Sequence, residues 1–361
     1  MTAAITPTIA DALWSPIALG RLRLAHRVTM APMTRSRATS DGRVTDLTQT
    51  YYAQRASLSM LITEGTQPSA DGQGYLMTPG IHTEEQAKSW RAVAEAVHEA
   101  GSTLVVQLMH VGRISHPSNT PHGRQPLAPS ALPATGDMFT ASGPQPMAMP
   151  REMTTADLTQ TTADFRRAAR LAVDAGADGV EIHGANGYLL QQFLSTNANL
   201  RTDEYGGDIA GRIRFPVEVA TAVADEIGAD RVGFRISPGS PLGDIQETDA
   251  ADLYPALIEA LAPLNLAYLH VVHLGDERLV RSIRDGWPTG LVLNRAGADI
   301  ERRAQDVRDG LADVVSVGQL ALANPDLIDR ITAGAPMNDP DRGTLYGGGE
   351  RGYTDYPRLA A

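Results

Sequence analysis

Three side chains that can hydrogen-bond a ligand lie within six residues of one another, at His183, Asn186 and Tyr188. An apolar run typical of a strand leads into them, and an apolar stretch typical of a helix follows. An imidazole, an amide and a phenol can all donate hydrogen bonds. At such a junction they either satisfy one another within a turn or face a bound molecule, and the pattern alone leaves both interpretations open.

Polar or small residues also lie near the end of, or just after, most of the other apolar runs. They are Thr34, Gln107, Arg235, Asn294, Arg295, Gly318 and Gln319. Buried amide, guanidinium and hydroxyl groups need hydrogen-bond partners. If the runs end at one place, a flat heterocycle with several carbonyl groups and ring nitrogens would supply those partners. This combination favours flavin mononucleotide (FMN).

The elements that would bring these residues together are eight short apolar runs that alternate with helical stretches. The runs cover residues 27–33, 59–65, 103–109, 178–183, 231–237, 267–272, 290–294 and 313–318. Near-continuous apolar runs are typical of parallel strands buried on both faces. Two of the helical stretches begin with capping-box spacing, at Thr83 and Thr154. The alternation predicts an α/β fold, a single (β/α)8 TIM barrel over residues 1–361, with its active site at the C-terminal ends of the strands.

One segment, residues 116–153, interrupts this alternation after the third strand. It is rich in Pro, Gly, Ser and Met and shows no helical pattern. A long irregular insertion in a compact domain is usually a lid or a binding loop. We therefore predict a lid over the C-terminal end of the barrel, with a disordered surface loop as the alternative.

Composition narrows the class of protein and of partner. The 361 residues are 42% hydrophobic, carry a formal net charge of −11 and include no cysteine. The negative charge disfavours nucleic acid and anionic membranes as partners, and the lack of cysteine excludes disulfides, thiolate metal sites and a cysteine nucleophile. The first residues show no signal-peptide pattern, and no apolar run is long enough to span a membrane. We expect a soluble, cytoplasmic protein without a metal site.

The motifs "HGANGY" and "NLRTDEYGG", with "MAPMTR" near the start and "YGGGERGYTDYP" near the end, resemble the old yellow enzyme family. The resemblance extends over residues 16–356, and the motifs occur in the family's order. The resemblance implies that the protein is a flavoprotein with FMN as its cofactor, and that it is an ene-reductase built on a (β/α)8 barrel. NAD(P)H, with NADPH favoured, would reduce FMN. The flavin would then pass hydride to the β-carbon of an alkene conjugated to a carbonyl or nitro group.

The resemblance also implies roles for individual residues. His183 and Asn186 would hold the carbonyl or nitro oxygen of the substrate, and Tyr188 would protonate the α-carbon. Thr34 stands where some relatives carry Cys, which places the chain in the Thr branch. The implied cofactor-binding residues are Pro32, Met33, Thr34, Gly65, Gln107, His183, Arg235, Asn294, Arg295, Gly318 and Gln319. The implied substrate-pocket residues are Tyr75, Met109 and Tyr346.

Two positions depart from the family pattern. Many relatives carry Gly-Arg after the eighth strand, where the Arg holds the FMN phosphate, but this chain has Gly318 and Gln319. We hypothesise that Arg295 supplies the missing charge. Many relatives also carry Trp where this chain has Met109. Since Met is smaller and more adaptable, we predict a roomier substrate pocket.

Two other functions remain open: a flavin-binding redox sensor without turnover, and a related flavin barrel with different substrate chemistry. The presence of His183, Asn186 and Tyr188 together argues against the sensor. The expected partners are small activated alkenes such as enones, maleimides and nitroalkenes, and the expected assembly is a monomer or a weak homodimer.

Overall fold

The computed structural model describes residues 12–359, and its centre is a closed barrel of eight parallel strands. The strands are β1 (Val28–Met30), β2 (Met60–Ile62), β3 (Thr103–Leu108), β4 (Gly179–Gly184), β5 (Val232–Ile236), β6 (Tyr268–His273), β7 (Gly290–Arg295) and β8 (Val314–Val317). They neighbour one another in chain order, and β8 pairs with β1 to close the barrel. Each predicted run corresponds to one strand, so the predicted (β/α)8 barrel is confirmed.

Helices surround the barrel. They are α1 (Asp46–Gln54), α2 (Glu84–Glu99), α3 (Thr155–Asp174), α4 (Leu189–Leu194), α5 (Ile209–Ile227), α6 (Ala250–Leu261), α7 (Glu277–Gly286), α8 (Ile300–Arg308), α9 (Gln319–Ala323) and α10 (Leu327–Ala333). Thr83 and Thr154 form the predicted capping boxes. Each Thr side chain accepts from the backbone N–H three residues later, and the side chain of that later residue accepts from the backbone N–H of the Thr. The local pattern thus determines where α2 and α3 begin.

The two ends of the barrel differ. A hairpin of Ile17–Leu19 and Leu22–Leu24 precedes β1. Its leucines pack with Met60 and Val314, which begin β2 and β8. The hairpin therefore covers the N-terminal end of the barrel, and the opposite end is free to form a site.

Residues 116–153 fold against that opposite end. Two short parallel strands, Leu127–Ala128 and Arg151–Glu152, pair with each other within the segment. Between them, Asp137–Thr140 and Gly143–Pro146 form an antiparallel hairpin. Met138 of this hairpin is buried in one apolar cluster with Met109, just after β3. The hairpin is thereby held beside the C-terminal end of the barrel, and its function as a lid stays a prediction.

None of the helices described within residues 12–359 is long and apolar enough to cross a membrane. The first residues of the chain, in which the sequence shows no signal-peptide pattern, lie for the most part outside the described residues.

Candidate active site

A cavity of about 720 Å³ opens at the C-terminal end of the barrel, where the residues that follow the strands meet. The predicted cofactor-binding residues that line it are Pro32, Thr34, Gly65, Gln107, His183 and Arg235. The other predicted residues that line it are Tyr75, Met109, Asn186, Tyr188 and Tyr346. Side chains from both halves of the chain therefore reach one space.

The trio of His183, Asn186 and Tyr188 extends from the end of β4 through the loop that leads into α4. Asn186 has a φ of 56°, a left-handed conformation that Asn adopts more readily than most residues. Its backbone N–H donates to Oγ of Ser237 at 2.8 Å. Gly187 follows with a φ of 82°, and a Cβ there would lie 2.2 Å from a carbonyl oxygen of a neighbouring loop, so only glycine fits. The bend brings the rings of His183 and Tyr188 to 5.2 Å, centroid to centroid.

The protonation states of this trio follow from burial. Burial, together with the positive charge of Arg235, lowers the pKa of His183 to about 3. Burial, together with the neighbouring Tyr75, raises the pKa of Tyr188 well above its ordinary value. The hydroxyl groups of Tyr75 and Tyr188 lie 3.0 Å apart. At neutral pH the imidazole is therefore uncharged and the phenol keeps its proton, so each can donate a hydrogen bond.

Two nitrogen atoms at the inner end of the cavity, one each in His183 and Arg235, lack a hydrogen-bond partner among the described residues. They are Nδ1 of His183 and Nε of Arg235, and both are buried. Gln107 donates from Nε2 to Glu181 at 2.8 Å. Unpaired buried polar groups are costly, so the site fits a ligand that presents donors and acceptors along one edge. The isoalloxazine ring of FMN is such a ligand.

Two buried arginines hold the C-terminal segment, residues 344–353, against the end of β1. Arg35 and Arg37 donate four hydrogen bonds of 2.7 to 3.0 Å to backbone carbonyl groups of this segment. Both guanidinium groups also lie over the ring of Tyr353, 5.0 and 4.5 Å from its centroid. Because the segment is held in this way, its Tyr346 reaches the cavity.

Comparison with known proteins agrees with this geometry. Residues 12–338 match the NADH:flavin oxidoreductase / NADH oxidase family. The chain belongs to this family. It is therefore an oxidoreductase of a group that includes FMN-dependent alkene reductases, and the resemblance to the old yellow enzyme family is confirmed.

Individual relatives are similar over nearly their whole length. The chain is 40% identical to a "probable flavin mononucleotide-dependent alkene reductase" of Leishmania infantum, over 96% of this chain and 97% of the relative. It is 41% identical to 12-oxophytodienoate reductase 1 of Oryza sativa subsp. japonica, over 99% and 96%. Among solved structures, morphinone reductase has a TM-score of 0.92 at 42% identity, over 96% of both chains. An old yellow enzyme homologue from Zymomonas mobilis has a TM-score of 0.92 at 35% identity, over 96% and 99%.

Some predicted cofactor-binding residues of this family member do not line the cavity. They are Met33, Asn294, Arg295, Gly318 and Gln319. All five lie at or just after the ends of β1, β7 and β8. Nδ2 of Asn294 donates to Oγ of Ser316 at 2.8 Å, and Gln319 begins α9. Their contact with the flavin or its phosphate stays a prediction.

Arg295 is already paired with two carboxylates. Its Nη1 and Nη2 donate to Glu277 at 2.8 and 3.0 Å, and its Nε and Nη2 donate to Asp306. These ion pairs neutralise the guanidinium charge and occupy most of its five donors. The hypothesis that Arg295 replaces the phosphate-binding arginine of relatives requires these pairs to open, and the geometry gives it no support.

Sequence reasoning missed five residues that line the cavity. They are Ser36, Leu76, Met77, Phe139 and Gly347. Four of them lie within two residues of predicted site residues along the chain, so a wider window around each motif would have found them. Phe139 lies in the hairpin of residues 137–146, within a segment that offered no motif as a reference point.

Proposed function

We propose that the protein is an FMN-dependent ene-reductase, which uses NAD(P)H to reduce alkenes activated by a carbonyl or nitro group. One observation carries this proposal. The donors His183, Asn186 and Tyr188 share a cavity with the polar side chains of Gln107 and Arg235, and Nε of Arg235 has no partner within the described residues. The first set suits a polarised alkene, and the second suits the flavin that reduces it.

The residues at the inner end of the cavity would hold the flavin ring. The side chains of Gln107, Arg235 and Thr34 would hydrogen-bond it, and the backbone at Pro32 and Gly65 would contact its face. Bound FMN supplies hydride transfer between NAD(P)H and the β-carbon of the alkene. The positive charge of Arg235 would lie near the ring and would raise the reduction potential of the flavin. Some relatives carry Cys where this chain has Thr34, so the chain would belong to the Thr branch of the family.

The donor trio would act on the alkene. Neutral His183 and Asn186 would each donate to its carbonyl or nitro oxygen. Negative charge grows on that oxygen as hydride arrives, so donors that are already in place stabilise the transition state. Tyr188 would then protonate the α-carbon. Its hydroxyl lies 3.0 Å from that of Tyr75, so Tyr75 can donate to it and leave the Tyr188 proton free for the substrate.

The outer part of the cavity would determine which alkenes enter. Phe139, on the hairpin of residues 137–146, lines the cavity, which supports the lid function of residues 116–153. A Cβ on Gly65 would lie 2.5 Å from the sulfur of Met109. The Met109 side chain therefore packs on the backbone at Gly65, which supports a roomier pocket for enones, maleimides and nitroalkenes.

Anaerobic mixing tests the proposed function. The protein loaded with FMN is mixed with NADPH or, in parallel, with NADH, and then with cyclohexenone, a maleimide or a nitroalkene. We expect the yellow flavin band to bleach, faster with NADPH, and to return with the alkene. Bleaching that no alkene reverses would indicate a redox sensor, and a band that neither coenzyme bleaches would contradict the proposal.

A further inference from the structure

A buried carboxylate, Glu181, lies inside the barrel below the candidate active site. It precedes His183 by two residues on β4, and alternate residues of a strand point to the same side. Glu181 is fully buried, although the interior of such barrels is usually filled by branched apolar side chains. An unpaired carboxylate there would destabilise the fold. Packing alone therefore does not account for this residue.

Side chains from two other strands donate hydrogen bonds to Glu181. Nε2 of Gln107 lies 2.8 Å from Oε1. The hydroxyl of Tyr268 lies 3.1 Å from Oε2, and Nδ1 of His270 lies 2.8 Å from the same oxygen. Burial by itself would raise the pKa of Glu181, but His270, Arg235 and Gln107 together lower it below its ordinary value. The carboxyl is therefore ionised and can only accept hydrogen bonds.

This charge determines the orientation of the Gln107 amide. A side-chain amide has a donor NH2 group on one side and an acceptor oxygen on the other. Since Glu181 can only accept, Nε2 of Gln107 must face it. The remaining polar atom, Oε1, is then the part of the amide that is available to the cavity that Gln107 lines.

Further hydrogen bonds hold Glu181 itself in place. Nε2 of His270 lies 2.9 Å from Oγ of Ser316, which also accepts from Nδ2 of Asn294 at 2.8 Å. Burial lowers the pKa of His270, so the ring is neutral and carries its proton on Nδ1, facing Glu181. Asn294 then donates to Ser316, Ser316 donates to His270, and His270 donates to Glu181. Rotation of any one of these side chains would break this chain of hydrogen bonds.

We propose that Glu181 is a positioning residue, whose carboxylate holds the Gln107 amide with Oε1 toward the cavity as an acceptor for the ring N–H of the flavin. This inference rests on the proposed function. The pyrimidine edge of a flavin carries one N–H between two carbonyl groups. An acceptor at Gln107 matches that N–H, whereas a rotated amide would place a donor against a donor. The negative charge of Glu181 also offsets part of the charge of Arg235.

The variant Glu181→Gln tests the proposal, because glutamine keeps the size of the side chain but removes its charge and allows Gln107 to rotate. We expect the dissociation constant of FMN to rise about tenfold, the effect of losing one hydrogen bond between Gln107 and the ring. We also expect the midpoint potential of the bound flavin to become more positive, because an anion near the ring is removed. Thermal unfolding of the FMN-free variant is the control for folding.

A double-mutant cycle with Gln107→Leu separates positioning from a general effect on the fold. If Glu181 acts through Gln107, E181Q weakens FMN binding in the wild-type background and leaves it unchanged in the Q107L background. Equal weakening in both backgrounds would overturn the proposal. An FMN affinity and a midpoint potential that E181Q does not change would also overturn it.

If E181Q does not fold, the variant Glu181→Asp tests the positioning role instead. Aspartate keeps the charge but withdraws the carboxylate by one methylene, so we expect FMN affinity to fall toward that of Q107L with a smaller change in potential. Wild-type affinity in E181D would contradict the positioning role. A wild-type protein that binds no FMN would overturn the proposed function and this inference together, whereas normal turnover in wild type with unaffected variants would overturn this inference alone.

Discussion

Barrel strands carry the side chains at the inner end of the cavity, whereas segments outside the barrel carry those at its mouth. The inner end consists of Gln107, His183 and Arg235, which are 2%, 2% and 6% exposed. The mouth consists of Met77, Phe139 and Tyr346, which are 41%, 69% and 69% exposed. The inner end is polar and lies on adjacent barrel strands, so strand pairing sets its distances. The mouth is apolar, and each of its residues belongs to a different segment.

This difference indicates a division of tasks. Chemistry needs donors held within a few tenths of an ångström, which strand pairing and burial supply. Large exposed apolar side chains that gather at one opening are typical of a surface that a ligand covers. Backbone strain is also concentrated around the cavity, since three of its lining residues are non-glycine residues with positive φ. They are Ser36, Met77 and Asn186. We infer that the inner end sets the reaction and the mouth sets the choice of substrate.

The largest expected effect is that of Tyr188→Phe, next to the inner end. Loss of the proton donor should slow alkene reduction by the reduced enzyme about 100-fold or more, with little change in flavin reduction by NADPH. Tyr75→Phe is the matched control, because it removes the partner hydroxyl at 3.0 Å and leaves the donor. Stopped-flow measurement of both half-reactions checks this. Equal losses in the two variants would contradict the assignment of Tyr188 as donor.

Phe139→Ala should act on substrate choice alone. Loss of the apolar surface of the ring should raise KM for a bulky apolar enone about tenfold, while kcat and the KM for the small enone cyclohexenone stay unchanged. The control is Leu242→Ala, since Leu242 is 57% exposed but does not line the cavity. Steady-state kinetics with both enones decide, and a fall in kcat for the small enone would show that the two regions are not separate.

Met77 offers a comparison of stability with binding at one position. Its φ of 56° is unfavourable for any residue with a Cβ. Met77→Gly should therefore have a free energy of unfolding about 1 kcal/mol above that of Met77→Ala, as measured in urea. Both variants lack the thioether and should raise KM for the bulky enone equally. If the glycine variant were the less stable of the two, the strain at the mouth would be absent.

The smallest expected effect is that of pH on the chemistry at the inner end. Because the pKa of His183 is lowered to about 3, the rate of alkene reduction should change less than about twofold between about pH 5 and 8. A steep loss of rate with a midpoint near pH 6.5, the ordinary value for His, would show that His183 titrates normally.

Stability should respond to pH where the rate does not. An unfolded His takes up a proton below about pH 6.5, while the folded His183 stays neutral because its pKa is lowered to about 3. The contribution of His183 to the free energy of unfolding is therefore present in full above the pKa of the unfolded His. It is lost as the pH falls toward the pKa of the folded His183. His183→Gln should reduce the slope of unfolding free energy between about pH 7 and 5, as measured by urea unfolding at each pH.

The sequence by itself determined the parts of the protein that depend on local pattern. Eight apolar runs and the capping boxes at Thr83 and Thr154 were enough to predict the barrel, because strands and helix starts are encoded within a few residues. The barrel in turn implies that residues at and just after the C-terminal ends of its strands share one end. For this reason the sequence alone was enough to predict that Thr34, Gln107, His183 and Arg235 lie together.

Only the tertiary structure decided what depends on contacts between distant segments. The position of Phe139 follows from the burial of its neighbour Met138 in one apolar cluster with Met109, which no regular spacing in the sequence predicts. The pairing of Arg295 with Glu277 and Asp306 depends on the side chains of two neighbouring helices. The hydrogen bond from Gln107 to Glu181 joins side chains on two strands, and these residues are 74 positions apart in sequence. A motif shows which residue follows a strand, but the partner of a buried charge is chosen by the packing of the whole barrel.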